Sequence, residues 1–498
     1  MGGSSTHAFH RKVFIAAIAV YAITAWFSSG FYSADEHYQV IAFVEAKAEH
    51  QPLSELPWEY DARIRSATLS AICYCVFRAA DVLQVHDPFI KAFLLRALTA
   101  LLALFVLRAF VRACLWMIDV PFQKAFILLS YFLWFLPYQH VRFAMETWSG
   151  LFVLLGLAFI VAQEERPMRF ARVGACFGLA FLFQPSALLV CISAVAWLVF
   201  IKREKIASIV QLVVAGLLVC AIGVGIDRWF YGSFTLTAWN FARLAIVGDP
   251  AHTFEAYPWY YFFVWIVKYG IWPIGALMLA AFTGLTLKRP TNLFVWCVVP
   301  YLIVLSFIAH KEVRFLFPLV DFAPIILVLA WQEFTHTSLH ASLIAHRGKS
   351  PIRVVMFALI GANTTGLAVA CLSPAGNGRI ILAEHIQRSH STGTPHLGYV
   401  ANDTTIWKIR IPQFYLNADA VDDGITTPCD PTHGTGDLVI AHELKTADRD
   451  CPSMKFYWIE VARSEPEWIT PLMDLYNSER DRPWYLYRNE AGLAKDPH

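Results

Sequence analysis

Residues 206–226 read IASIVQLVVAGLLVCAIGVGI, an unbroken apolar run between Lys205 and Asp227 with no charged side chain inside it. A helix of that length rises about 30 Å, the thickness of a bilayer's hydrocarbon core. Comparable stretches, some shorter, recur at about 13–30, 88–110, 122–138, 147–162, 172–185, 186–201, 261–285, 291–309, 315–332 and 353–373. The expectation is an all-α polytopic membrane protein with eleven transmembrane helices, the two runs flanking Pro185 standing close enough to form a re-entrant pair. Composition agrees: 57% of the 498 residues are hydrophobic, 16% are charged and mean hydropathy is +0.49. A fully soluble chain, a disordered one, a coiled coil and a collagen are all excluded.

Charge divides the chain. Residues 375–498 carry 12 basic and 18 acidic side chains, against 48 charged positions in the first 374. Two domains are expected, a membrane domain over 1–374 and a small soluble α/β domain over 375–498. The net charge of +2, without a basic cluster, argues against a nucleic-acid partner. If the N-terminus lies in the cytosol, the cytosolic loops hold 16 Lys and Arg against 5 acids (Asp119, Glu164, Glu165, Glu204 and Glu333). The positive-inside rule then puts the tail outside. Of the ten cysteines, Cys429 and Cys451 lie in that tail, where a disulfide is permitted. Asn402–Thr404 is a glycosylation triplet, usable only in a eukaryotic host.

Five mixed polar segments fall on the exoplasmic side. The first loop, 31–87, opens with Asp35 and Glu36. Paired carboxylates at a membrane edge can serve as a general base, and they can equally begin a helix, with Asp35 as its cap. The same loop continues through Trp58, Glu59, Tyr60, Asp61, Arg63, Arg65 and Ser66 into 67–84, which reads as an amphipathic helix on the membrane face. Arg142 and Glu146 in the third segment are spaced to pair on a helix. Asp227–Gly232 and Tyr257–Phe262, including Trp259 and Tyr260, are aromatic-rich in the manner of a sugar platform or an interfacial belt. The fifth, His310, Lys311, Glu312, Val313, Arg314 and Phe315, presses four ionisable groups into five positions between two apolar runs. Snorkelling cations leave His310 and Glu312 unexplained, and a held phosphate accounts for them better.

These residues carry a resemblance to the glycosyltransferase family 22 mannosyltransferases, the dolichyl-phosphate-mannose-dependent Alg9 and GPI types with their bacterial relatives. The matching features are Asp35 and Glu36 after the first span, Trp58–Tyr60 leading to Ile64–Ser66, Asp227–Gly232, Pro258–Tyr260 and above all His310–Glu312 with Arg314 and Phe315. They cover residues 1 to about 330. Ala34, Gln184 and Tyr257 stand where that family usually has proline, arginine and histidine.

The resemblance implies a GT-C fold and inverting transfer of mannose from a polyprenyl-phosphate donor to a glycan or glycolipid. Asp35 would be the base and Glu36 its runner-up; His310, Lys311 and Arg314 would hold the donor phosphate. Glu312, Glu59, Arg65, Arg142, Glu146, Trp259 and Tyr260 would orient or bind substrate. No cofactor or metal is expected, since a donor with one phosphate can be matched by side-chain cations. Another polyprenyl-phosphate sugar moved onto lipid A or protein is the alternative enzyme. A transporter is the alternative of a different class, disfavoured by the lack of repeats and paired helix breaks. The site would face the exoplasm of a bacterial inner membrane or, failing that, the endoplasmic reticulum lumen.

Overall fold

The computed structural model describes residues 2–163, 168–247, 256–347, 350–376, 378–389, 396–401, 409–416, 420–430, 433, 436–444, 450–451, 456–477 and 482–491. The chain forms two compact units. The larger comprises 1–25, 33–79 and 95–371; the smaller takes 26–32, 80–94 and everything from Leu372 onward.

The larger unit is helical. In chain order the elements are α1 (Gly2–Phe27), α2 (Ala34–Glu36), α3 (Ala42–Lys47), α4 (Trp58–Ala62), α5 (Thr68–Val82), α6 (Pro88–Cys114), α7 (Val120–Phe132), α8 (Leu136–Gln139), α9 (Met145–Val161), α10 (Arg169–Phe183), α11 (Leu188–Phe200), α12 (Ile206–Tyr231), α13 (Thr237–Val247), α14 (Tyr261–Tyr269), α15 (Trp272–Lys288), α16 (Leu293–Phe307), α17 (Phe317–Val320), α18 (Ala323–Thr335), α19 (Ser338–Arg347) and α20 (Ser350–Leu372). α1, α5 and α6 run partly into the smaller unit.

Every apolar run found in the sequence is helical, but length alone makes only some of these helices membrane-crossing. Among the described residues, Ser5–Phe27, Pro88–Met117, Ile206–Tyr231 and Ser350–Leu372 are long and apolar enough to cross a bilayer. Two bent pairs raise the number to six if each is one span: α15 with α16 at 115°, and Val313–Val320 with α18 at 64°. Proline explains most of the remaining breaks. Pro137, Pro185, Pro273, Pro318 and Pro324 each stand in the first turn of a helix, where a missing N–H costs nothing. Thus 261–285, read as one crossing, is α14 and α15 divided at Gly270 and Ile271, the latter in a left-handed conformation.

Polar groups inside the bundle are matched to one another. His140 Nε2 lies 2.6 Å from Asp321 and its Nδ1 lies 2.8 Å from the Tyr21 hydroxyl. His10 meets the Tyr131 hydroxyl at 2.9 Å, and Arg96 donates to the Ala25 carbonyl at 2.8 Å. In a medium without water such partners are obligatory.

The smaller unit contains α21 (Arg379–Ser389), α22 (Thr470–Tyr476) and a six-stranded mixed sheet of order β2-β1-β3-β6-β5-β4. Its strands are β1 (His396–Tyr399), β2 (Val421–Ile425), β3 (Leu438–Ala441), β4 (Asp450–Cys451), β5 (Phe456–Arg463) and β6 (Tyr485–Ala491). β1 is parallel to β2 and β3, and the other pairs are antiparallel. β3 is apolar on both faces: Leu438 and Ile440 pack with Ile380, Leu382 and Ile386 of α21, while Val439 and Ala441 pack with Trp458 and Tyr487. This is an α/β unit. Cys429 is disulfide-bonded, and the triplet at 402–404 lies outside the described residues.

α10 and α12 meet backbone to backbone. A Cβ added at Gly174 would overlap the Leu212 carbonyl, and one at Gly178 would stand 2.8 Å from the Gly216 oxygen. Small residues allow apolar helices this approach. Gly174→Ala is expected to cost about 1–3 kcal/mol by forcing the helices apart, read as a lower thermal midpoint of the solubilised protein. Gly225→Ala, which has nothing within 4 Å of its added Cβ, should leave the midpoint unchanged. Equal midpoints for the two variants would contradict the packing.

Candidate active site

Ser33 begins the site. Its hydroxyl accepts from Asp35 N, and its own N–H donates to Glu36 Oε1 at 3.2 Å, a reciprocal cap on α2. This cap separates the two carboxylates. Glu36 turns inward, buried, with Oε2 lying 3.8 Å from Arg142. Asp35 is left on the more accessible side, a quarter exposed.

Arg314 is the hub. It lies in the 3₁₀ turn Val313–Leu316 and is 9% exposed. Nη1 donates to Asp35 Oδ2 and, at 3.5 Å, to Glu146 Oε1; Nε and Nη2 grip Glu312 at 2.6 and 2.9 Å. His310 donates to the same Glu312 carboxylate at 2.9 Å. Burial alone would raise the Glu312 carboxyl, but Arg314 and His310 outweigh it and hold the group below its ordinary range. Glu146 reaches the hub because Gly150, one turn on in α9, lets that helix close on Pro318, where a Cβ would stand 3.0 Å from the proline Cα.

Arg65 joins from the first loop, Nη2 lying 3.7 Å from Asp35 and Nη1 donating to Gln184 at 3.4 Å. The corner between α12 and α13 aims it. Asp227 accepts from Ser66 Oγ at 3.0 Å, Ala67 N at 2.7 Å and Thr237 Oγ1 at 2.9 Å. The Tyr231 hydroxyl donates to the Arg65 carbonyl at 2.8 Å, Asn240 to the Arg63 carbonyl at 3.1 Å, and Arg63 itself, in a left-handed turn, to Ser233. Behind Arg65 stands Glu59, whose Oε1 accepts from Gln39 Nε2 at 3.1 Å. Burial, with the Asp35 charge beside it, pushes the Glu59 carboxyl above its ordinary range.

Two expectations need correction. Lys311 was expected to hold phosphate, but its ammonium donates to the carbonyls of Tyr257 (3.2 Å), Ser306 (3.1 Å) and Ile308 and is 2% exposed. It ties off the end of α16 and is spent on backbone, and its burial lowers its pKa. Arg142 and Glu146 do not share a helix, since α9 starts at Met145; they lie beside Glu36 and Arg314 respectively. Trp259 and Tyr260, expected to bind or orient substrate, are 64% and 46% exposed and pack on each other edge to face. Asp227, which stands in an aromatic-rich stretch of sequence, serves as a brace. Gln39 has no sequence signal beyond polarity, and Gln184 stands out in the sequence only by replacing an arginine usual in the family the chain resembles.

The site thus unites Asp35, Arg65, Glu146, Glu312 and Arg314, a carboxylate with two guanidiniums suited to deprotonating a hydroxyl beside an anionic leaving group. The Alg9-like mannosyltransferase family profile matches residues 12–394. GPI alpha-1,2-mannosyltransferase 3 of Xenopus laevis is 27% identical over 211 residues, 41% of this chain and 38% of that one. Its counterpart in Danio rerio is 24% identical over 316 residues, 62% and 56% of the two chains. The chain spans about half the length of the curated relatives it matches. Among solved structures, ArnT from Cupriavidus metallidurans bound to undecaprenyl phosphate superposes with a TM-score of 0.51 at 12% identity, covering 97% of this chain and 98% of that one. That likeness is one of fold, a membrane glycosyltransferase fold of the GT-C type. With more than half its length matched by the family profile, the chain belongs to the Alg9-like mannosyltransferase family.

Proposed function

We propose that the protein moves mannose, with inversion, from a polyprenyl-phosphate-mannose donor to a glycan or glycolipid acceptor at the exoplasmic face of its membrane. The observation that carries the reading is the meeting of Asp35 and Arg314, one from the first loop and one from the segment 279 positions later, in a single part-buried cluster. The reading takes the eleven apolar runs as crossings with the first loop and the α/β unit outside. The membrane is a bacterial inner membrane or that of the endoplasmic reticulum.

In this mechanism an acceptor hydroxyl gives its proton to Asp35 and its oxygen attacks the anomeric carbon. The bond from that carbon to the phosphate oxygen breaks, and the electron pair leaves with the polyprenyl phosphate. The phosphate therefore gains a negative charge as the reaction proceeds. Arg314 can meet it, because Glu312 fixes the Nε and Nη2 edge of the guanidinium and leaves Nη1 shared between Asp35 and Glu146. A phosphate drawn to Nη1 competes with Asp35, so donor binding frees the carboxylate to act as base. Arg65 supplies the second cation. Fixed dipoles and charges in a dry site act strongly on charge that develops only in the transition state.

The test is transfer of labelled mannose or glucose from dolichyl- and undecaprenyl-phosphate carriers by the purified protein in bilayers. Mannose is expected to move, and the preferred carrier lipid distinguishes the two membranes; no transfer from any donor would contradict the reading. In the same assay Asp35→Asn should lose about 10²–10⁴-fold in turnover while still binding donor, and full turnover would remove Asp35 as base. A second prediction concerns metals. Side-chain cations answer one phosphate, so EDTA should leave the rate unchanged; loss of activity restored by Mn²⁺ or Mg²⁺ would refute that assignment.

A further inference from the structure

Beside Asp35, three buried polar atoms have hydrogen-bonding capacity that no protein group described here meets: Gln39 Oε1, Glu59 Oε2 and Arg65 Nε. They belong to one neighbourhood. Gln39 and Glu59 are hydrogen-bonded to each other through their other atoms, Arg65 lies 3.7 Å from Asp35, and the charges of Arg65 and Asp35 both act on the Glu59 carboxyl. Gln39 is only 3% exposed. Elsewhere in this unit, Asp227, His140 and Lys311 have their polar atoms answered two or three times over. An unanswered buried group costs about 1–3 kcal/mol, so three together imply a complementary molecule.

The fold delivers all three deliberately. After the cap at Ser33, α2 passes into a π-helical turn at His37–Ile41, which inserts an extra residue per turn and sets Gln39 inward. Glu59 occupies the first turn of α4, and the left-handed Arg63 reverses the chain so that Arg65 returns toward it.

The chemistry of the set selects its ligand. Two of the atoms are acceptors and one is a donor. Two acceptor oxygens facing a phosphate would repel it, whereas a neutral polyol can give a proton to each and accept from Arg65. We propose that Gln39, Glu59 and Arg65 form the acceptor subsite, receiving two neighbouring hydroxyls of the acceptor's terminal sugar so that another faces Asp35. The proposal rests on the transferase reading above for its last step alone, since binding of the sugar can be measured without transfer.

The probe is octyl α-D-mannopyranoside, with dolichyl phosphate as the control for the donor side, both titrated against the full-length protein in lipid nanodiscs. Gln39→Leu and the isosteric Glu59→Gln should each weaken glycoside binding about tenfold or more, the equivalent of one lost buried hydrogen bond, and leave dolichyl phosphate binding unchanged. Failure of the wild-type protein to bind the glycoside, or equal affinity in the wild type and both variants, would overturn the subsite and assign the three atoms to water. A parallel loss of dolichyl phosphate binding would also overturn it, marking the residues as structural. If the variants lose the glycoside while no donor tested supports transfer by the wild type, the subsite stands and the transferase reading falls.

Discussion

A guanidinium enclosed by apolar helices costs several kcal/mol unless it is matched, and Arg314 meets that requirement with three carboxylates. Each comes from a different part of the larger unit: Asp35 from the first loop, Glu146 from the first turn of α9, Glu312 from the same short connection as the arginine. The cost of leaving any of them unpaired makes the cluster a constraint on all three segments. The cap at Ser33, the contact of Gly150 with Pro318 and the brace at Asp227 can be understood as the local structure that satisfies it.

On the proposed mechanism the cluster also explains how a carboxylate can wait beside an anionic donor. Asp35 shares its arginine edge with Glu146, while Glu312 occupies the opposite edge with two hydrogen bonds. A bidentate pair outlasts a shared single bond, so the exchangeable partners are the two on Nη1, and of these Asp35 is the more accessible. On that proposed mechanism, binding of the donor and release of the base are one event.

Much of this was legible in the sequence. Apolar run length disclosed the helices, and loop charge disclosed that Asp35, Glu59, Arg65, Glu146 and His310–Arg314 share one side. What run length cannot register is where proline in a first turn divides a run, as at Pro185 and Pro273. Nor does residue type separate a cation that pairs with carboxylates from one that ties off carbonyls: Lys311 and Arg314 look equivalent three positions apart, yet Lys311 sits where α16 ends and its carbonyls need donors. Asp227 and Gln39 escaped for a related reason, since an inward-turned amide and a brace depend on partners 20 and 161 positions distant.

The central claim is spatial, that positions 35 and 314 lie within one side chain's reach on the face away from the cytosol. The direct measurement is cross-linking in sealed, oriented vesicles: Asp35→Cys combined with Arg314→Cys, treated from outside with a short membrane-impermeant bismaleimide and read by mass spectrometry. The account predicts a peptide bridging 35 and 314, formed without permeabilisation. Absence of that bridge when both cysteines are singly labelled, or labelling of either only after the vesicles are opened, would contradict it.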